Sequence, residues 1–554
     1  MEPKSPFILP RLVTELKNYN RKTFFADLIA GVTVGLVAFP LAMAFAIASG
    51  LPPETGLYCA IIAGFLISAL GGSKFQIGGP TGAFVVVVSA IAAKHGFHGL
   101  LACTFLAGLF ILLIGITGLG SAIKLIPRPV VIGFTNGIAV LIASTQIRDF
   151  FGIQVENLPS EFLPKLQTLI SHASSTSLTS TLLATLGFVF LLFMRKKYPK
   201  IPGTIILLGA GTLLVALFKL PVELIGSRFP EIPNHLPAIK PISFNLDQIG
   251  ELIPAAITIA LLGSIESLLS AVVADRMGND HHDSKTELIA QGIANMASPL
   301  FGGLPATGAI ARTATNIRSG ARTPVAGVIH ALVLLIILLA AAPFAKLIPF
   351  CILAALLAMV AYNMGEWGEI KGILKSGKSE IAVWAVTFGL TVFADLTVAV
   401  QVGMILAALT FIRRVTGSTT VQEVTEEYIE QGHSHSLQNY GLPENVSVFR
   451  IQGPLLFGST EKLDIIQENV ENLNQHVLLR LRNMNALDAT GVNALEELSN
   501  FLQQNGKTMF VCGTPPQPEL LLKNHNFEKH LKGGLIFKNF GEAAEYFRNR
   551  DNKG

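Results

Sequence analysis

The chain has 554 residues, of which 51% are hydrophobic and only 14% charged, and its formal net charge is +4. Soluble proteins carry about 25% charged residues, so an ordinary soluble fold is excluded. So small a net charge gives no footing for nucleic acid. Fifty-one glycines and 35 phenylalanines point to a polytopic membrane protein. Cys59, Cys103, Cys351 and Cys512 lack metal-ligand spacing and read as reduced structural thiols. No pattern calls for a metal or another cofactor.

Residues 1–22 are polar and basic, carry no cleavable signal pattern, and read as a cytoplasmic lead-in. The membrane domain is expected over 23–415. Its apolar segments fall at 24–45, 55–71, a broken 75–94, 98–118, 127–146, 181–195, 202–219, 250–274, 286–300, a broken 303–320, 324–345, 348–364, 379–394 and 396–413. That makes about 14 elements, several too short to cross about 30 Å of hydrocarbon alone. Stretches 148–180 and 220–249 are long external loops. With the N-terminus inside, Arg21, Lys22, Lys74, Lys124, Arg128, Arg195–Lys197, Lys200, Arg276, Lys285, Arg318, Arg322, Lys371, Lys375, Lys378, Arg413 and Arg414 fall on the inner side. Lys94, Arg148, Lys219 and Lys346 stay outside, which is the positive-inside pattern.

The two halves of this domain align. Asp27 opens segment one and Glu251 opens segment eight; Gly79-Pro80-Thr81-Gly82-Ala83 matches Gly303 to Ala309; Ile126-Pro127 matches Ile348-Pro349. The offset stays at about 222–226 residues. Seven elements is odd, so the second copy enters from the opposite side as an inverted repeat. Gly/Pro-broken segments at matching places in such halves point to a binding site at the midplane. In each, glycine and proline end one backbone run, and a new helix starts with free N–H groups and a positive dipole end. Thr307 is the predicted N-cap of the second of these helices.

Residues 416–443 read as a polar linker, with Glu423, Glu426, Glu427 and His433-Ser434-His435; two histidines alone do not make a metal site. Residues 444–554 read as a small α/β domain. Strands are expected at 446–451, 477–481 and 508–512, and helices near 460–474, 490–505, 517–524 and 540–549.

Three features can carry chemistry. Glu266 stands alone in the apolar run 252–274, and an intramembrane carboxylate is expensive enough to demand a reason. Helical spacing puts Gly263, Glu266, Ser267 and Ser270 on one face, away from Leu261, Leu262, Leu268 and Leu269. Arg312 sits at the start of the second broken helix, where it either adds charge to an anion site or pairs with Glu266 or Asp275. Arg318 and Arg322 read as inner-face charges, Asp275-Arg276 as an interfacial pair, His281-His282 as a solvated loop, and Asp395 as an interfacial residue.

Together, Phe39–Ala46, Gly78–Ala83, Leu262–Leu269, Gly302–Asn316 and the C-terminal domain resemble the SulP family of anion transporters, the relatives of sulfate permeases, pendrin and prestin. The resemblance covers nearly the whole chain. It implies an α-helical polytopic fold of 14 segments in two inverted repeats, arranged as core and gate, with a cytoplasmic STAS domain. It implies an anion between helix starts three and ten, facing segments one and eight. Carried onto this sequence, the substrate contacts are Ala42, Thr81, Gly82, Ala83, Ala309, Ile310, Ala311 and Arg312, and the ion-coupling residues are Glu266 and Ser270. Leu41 departs from the glutamine of many eukaryotic members. Glu266 departs from the aspartate common in sodium-coupled bicarbonate carriers and is closer to proton-coupled sulfate and dicarboxylate members. In related STAS-like proteins a phosphorylated serine follows an Asp-x pair; here Asp488-Ala489 precedes Thr490, which also reads as an N-cap.

The expected function is proton-linked secondary transport of a small oxyanion, with sulfate in front, and with proton-coupled C4-dicarboxylate or sodium-coupled bicarbonate uptake behind. Alternatives are a passive anion channel and a membrane-anchored STAS signalling protein. No enzyme is expected, since no nucleophile–base pair or metal constellation appears. The resemblance implies a homodimer in lipid, in a bacterial inner membrane, with cytoplasmic partners open to the STAS domain.

Overall fold

The computed structural model describes residues 9–120, 127–155, 158–159, 161–198, 202–235, 239, 241–242, 246–394, 396–424 and 445–551. The expectations for Lys124, Lys200, Asp395 and most of 416–443, including both histidines, lie outside these residues. The chain forms two compact units, Met1–Ala407 and Ala408–Gly554.

In the first unit the segments run one, Arg21–Ala48; two, Pro53–Leu70; three and four, Gly82–Thr117, divided by a non-helical Gly96; five, Arg128–Phe151; six, Leu178–Lys197; and seven, Gly203–Phe218. Eight is Leu246–Gly278, nine Ser284–Ala297, ten Ile310–Arg318, eleven Val325–Ala345, twelve Phe350–Met364, thirteen Lys378–Phe393 and fourteen Leu396–Gly417, whose residues from Ala408 on belong to the second unit. Eight of the described helices are long and apolar enough to cross a membrane by themselves. Segments three and ten are half-helices, each preceded by extended backbone: β1 (Gly78–Gly79) and β2 (Thr307–Gly308).

Segments one to four pack with eight to eleven, and five to seven pack with twelve and thirteen; fourteen meets five and thirteen through Gly403 and Ala407. The first group is the core and the second the gate. Residues facing lipid are apolar, as bilayer immersion requires: on segment six, Leu182, Leu186, Val189 and Phe193 form one exposed stripe. Ends that share a membrane face make polar contacts there. Arg11 pairs with Asp280, and Arg128 with Glu369, on one face. On the other, Arg228 pairs with Asp149, and Ile225 N–H donates to Ile348 O.

Two buried carboxylates brace this core. Asp27 accepts from Arg322 N at 2.6 Å, Thr323 N at 3.0 Å, Thr323 Oγ1 at 2.6 Å and Tyr19 Oη at 3.2 Å. Glu287 on segment nine accepts from Gly72 N, Ser73 N, Gln76 Nε2 and Gln291 Nε2 at 2.9–3.1 Å. Asp27 therefore ties segment one to the turn after segment ten. Glu287 ties segment nine to the turn before segment three.

The second unit contains a five-stranded sheet in the order β3 (Thr420–Glu423), β4 (Val446–Gln452), β5 (His476–Asn483), β6 (Thr508–Cys512), β7 (Ile536–Phe537). β3 is antiparallel and the other pairs are parallel. β3 lies within the stretch read as linker: Val421 alternates inward and completes the edge of the sheet. Where one helix was expected over 460–474, the chain makes three short turns, Thr460–Leu463, Asp464–Glu468 and Val470–Asn472. Asp488, not Thr490, caps helix Ala489–Gln504, accepting from Gly491 N at 2.8 Å, and Thr490 is exposed. Burial pushes the Cys512 thiol up to about 12, so it is an inert core group.

Glu287→Ala leaves four buried donors without their acceptor. It should cost about 3 kcal/mol or more, since each orphaned donor carries its own desolvation penalty. Glu287→Gln should cost less. The check is the thermal midpoint of the detergent-purified protein for both variants.

Candidate functional site

The site is built where the two broken segments cross. β1 and β2 pair antiparallel, Gly78 with Gly308 and Gly79 with Thr307. Ala309 N then donates to Ile77 O at 2.8 Å. This short pairing satisfies backbone that would otherwise be costly inside a membrane. It also sets the starts of segments three and ten beside each other.

Neither start is capped by its own side chain. Thr81 is the N-cap of segment three, but its hydroxyl does not bond its own helix. Ala309 is the N-cap of segment ten and has no side-chain acceptor. The expectation of Thr307 as cap is corrected: it lies in β2, two residues earlier, and its hydroxyl is used elsewhere. Both helices thus keep free N–H groups and an uncompensated dipole end, which favour an anion.

Segment eight supplies the opposing face. Gly308 N donates to Ser267 Oγ at 3.1 Å, and Thr307 Oγ1 donates to Gly263 O at 3.0 Å. The 2.7 Å contact between Ser267 Oγ and Thr307 Oγ1 therefore has Ser267 as donor. Ser270 Oγ donates to Thr313 Oγ1 at 3.3 Å, which also accepts from Ile77 N at 3.0 Å. Ser270 is thus committed to holding segment ten, and its hydroxyl turns to Thr313 instead of Glu266. Of the expected polar face, Glu266 alone reaches the start of segment three: Thr81 Oγ1 donates to Glu266 Oε2 at 3.1 Å. On the opposite side Leu269 is exposed, while Leu262 and Leu268 pack inward.

Arg312 is 4% exposed. Its Nη2 donates to Pro80 O, so the arginine of segment ten grips the residue before Thr81. Its Nη1 is buried with no hydrogen-bond partner among the described residues. The expected ion pairs are not made there: Glu266 takes Thr81, and Asp275 pairs with His282 Nδ1 at 2.7 Å. That contact also corrects two expectations. Asp275 does not pair with Arg276, and the His282 side chain is only 5% exposed, donating or accepting between Asp275 and Ser284. Arg318 and Arg322 are exposed.

The structure therefore brings Thr81, Glu266 and Arg312 around two helix starts, with Gly82 and Ala83 on one and Ala309–Ala311 on the other. Ala42 is buried in segment one. One turn on, Phe45 is the segment-one side chain recorded against Gly82, together with Ile142 and Met364. Gln76, Glu287 and Asn295 were not singled out by sequence. Asn295 holds the backbone of Ala306 by two bonds of 2.8 Å, and Gln76 bridges Glu287 to Ser267 O. The available signal was a polar residue on an otherwise apolar segment, the same signal that marked Glu266.

The Sulfate permease family profile matches residues 24–387, and the STAS domain profile matches 440–543. The chain is 41% identical over 532 residues to the putative sulfate transporter YvdB of Bacillus subtilis, covering 94% of this chain and 99% of that one. It is 31% identical over 534 residues to the bicarbonate transporter BicA of Synechocystis, covering 94% and 93%. The solved transmembrane domain of a cyanobacterial BicA superposes with TM-score 0.61 at 34% identity, over 70% of this chain and 98% of that one. The murine Solute Carrier 26 family member A9 anion transporter, in the inward-facing state, superposes with TM-score 0.85 over 99% and 96%; at 18% identity this shows the fold.

Gly79 has φ +143°, and a Cβ there would lie 2.6 Å from Arg312 Nη1. Gly79→Ala should therefore cost about 1–3 kcal/mol in strain and displaced guanidinium. Combined with Arg312→Ala, the cost should be clearly less than the sum, because the clashing group is gone. Thermal midpoints of the two single variants and the double variant check this.

Proposed function

This chain belongs to the sulfate permease family, and we propose that it is a secondary active transporter that carries a small oxyanion, sulfate, together with a proton. The family and the relatives above are transporters, not enzymes. The observation that carries the reading is the buried Arg312 Nη1, which has no partner among the described residues. It lies between two uncapped helix starts, one of them bonded to a carboxylate. An unpaired buried cationic N–H is costly, and an oxyanion repays that cost.

In this reading the anion takes N–H groups of Thr81–Ala83 and of Ile310 and Ala311 and the free edge of Arg312, with Ala42 on the wall; Ala309 frames the site but its own N–H is spent on Ile77 O. Charged Glu266 occupies the Thr81 hydroxyl and repels the substrate. Protonation removes the repulsion and frees that hydroxyl to turn toward the anion. Proton and anion binding then favour each other by the same factor. Core moves against gate in an elevator-like stroke. The basic residues Arg21, Arg128 and Arg195 on one face support an orientation with that face, the N-terminus and the STAS domain on the cytoplasmic side of a bacterial plasma membrane. The protein works as a homodimer.

The relatives are named for sulfate and for bicarbonate. Counterflow of labelled sulfate, bicarbonate and succinate in proteoliposomes, at two pH values with and without sodium, separates these substrates. Sodium dependence without pH dependence would favour the bicarbonate reading, and large unitary currents without accumulation a channel. Lack of any transport by the full chain would leave the STAS domain as the working part.

Uptake should rise as external pH falls, because the protonated carboxyl is the competent form. Glu266→Gln, a permanent neutral mimic, should flatten that dependence while retaining exchange. An unaltered pH profile in Glu266→Gln proteoliposomes refutes the coupling role.

A further inference from the structure

A second basic site lies away from the helix starts. A cavity of about 470 Å³ opens between core and gate, on the face where segment one ends and segment twelve begins. Ser89 of segment three, Gln146 of segment five and Phe350 of segment twelve are among its walls. Phe45 and Ile142, which cover Gly82, each sit one helical turn inward of the wall residues Ser49 and Gln146. These two side chains therefore separate the cavity from the start of segment three.

Three cations reach this cavity: Arg148, Arg228 and Lys165 from the connecting helix Phe162–Ser171. Arg228 is already neutralised. It pairs with Asp149 at 2.5 Å and Glu223 at 2.6 Å, and stacks 3.9 Å above the Phe350 ring centre. The other two are not. Arg148 Nε is buried and has no partner among the described residues. Lys165 is only 5% exposed, and its ammonium makes no hydrogen bond or ion pair among the described residues. With both carboxylates spent on Arg228, the lining keeps an excess of positive charge and unfilled donors. An ammonium at the wall of a narrow cavity, on a side chain mostly withdrawn from water and with no carboxylate, carries a cost that an anion in the cavity removes.

We propose that this cavity is a second anion-binding site, an outer antechamber in which Lys165 and Arg148 capture a small oxyanion before it passes Phe45 and Ile142. The inference rests on the transport reading and on the orientation given with it. Burial lowers Lys165 from its ordinary value to about 8. Its charge is present below that pH and is lost above it. Arg148 and Arg228 face the same space with fixed charge, and Asp149 and Glu223 are paired with Arg228, so the pH dependence of this cluster between pH 7 and 9 is assigned to Lys165. Capture from outside should weaken over that interval.

The test uses the full chain in proteoliposomes, with inorganic sulfate, bicarbonate and succinate as probes. Lys165→Met should raise the half-saturation for external anion at pH 7 by about five- to tenfold. Maximal rate and half-saturation from the inner face should stay within about twofold. Lys165→Arg should keep the low external value and lose its rise between pH 7 and 9. An unchanged external value, or equal changes on both faces, overturns the antechamber. If the wild type carries none of the three anions, the transport reading fails. The site is then read separately by equilibrium binding of labelled sulfate to purified protein, where Lys165→Met should lower affinity by the same factor and unchanged binding overturns it.

Discussion

The pairing of Gly78-Gly79 with Thr307-Gly308 is the contact on which the rest of the membrane unit depends. Two half-helices that start inside a membrane leave extended backbone at that depth. Such backbone survives only where its N–H and C=O groups are satisfied by protein. The antiparallel pair does this with four residues, three of them glycine. The same crossing sets two positive dipole ends side by side, so the solution to a solvation problem is also what makes the place attractive to an anion.

Most polar side chains around the crossing are spent on keeping it. Ser267, Thr307, Ser270 and Thr313 form a hydroxyl ladder between segments eight and ten. Asn295 and Gln76 brace the backbone on either side. Once that ladder is closed, Thr81, Glu266 and Arg312 are the polar groups left facing the helix starts. A polar stripe on a membrane helix therefore mixes scaffold and site, and only hydrogen-bond directions separate the two.

Asp27 and Glu287 extend this scaffold outward. Each belongs to one repeat and ties down a turn flanking the half-helix of the other. Each accepts four hydrogen bonds, enough to hold a carboxylate away from water. The core consequently packs as one body around both half-helices. The gate meets it along few elements, with the basic cavity at one end of that seam.

Hydropathy, glycine–proline breaks and the repeated spacing determined the fourteen segments and the pair of half-helices, because lipid punishes any other arrangement of this composition. The lone Glu266 and the neighbouring Arg312 were legible for the same reason: charge in an apolar run has to be explained. Contacts across the repeats were not legible. The engagement of Thr81 with Glu266, the loss of Thr307 as a cap and the turning of Ser270 to Thr313 depend on residues forty or more positions apart. The β3 edge of the C-terminal sheet and the burial of His282 were hidden for a related reason, since short polar segments acquire structure only from what they pack against. Lys165 is the clearest case. In sequence it is one lysine in the external loop 148–180; the tertiary fold alone sets it on the helix Phe162–Ser171, buries it beside Arg148 and Arg228 and leaves its charge without a partner among the described residues.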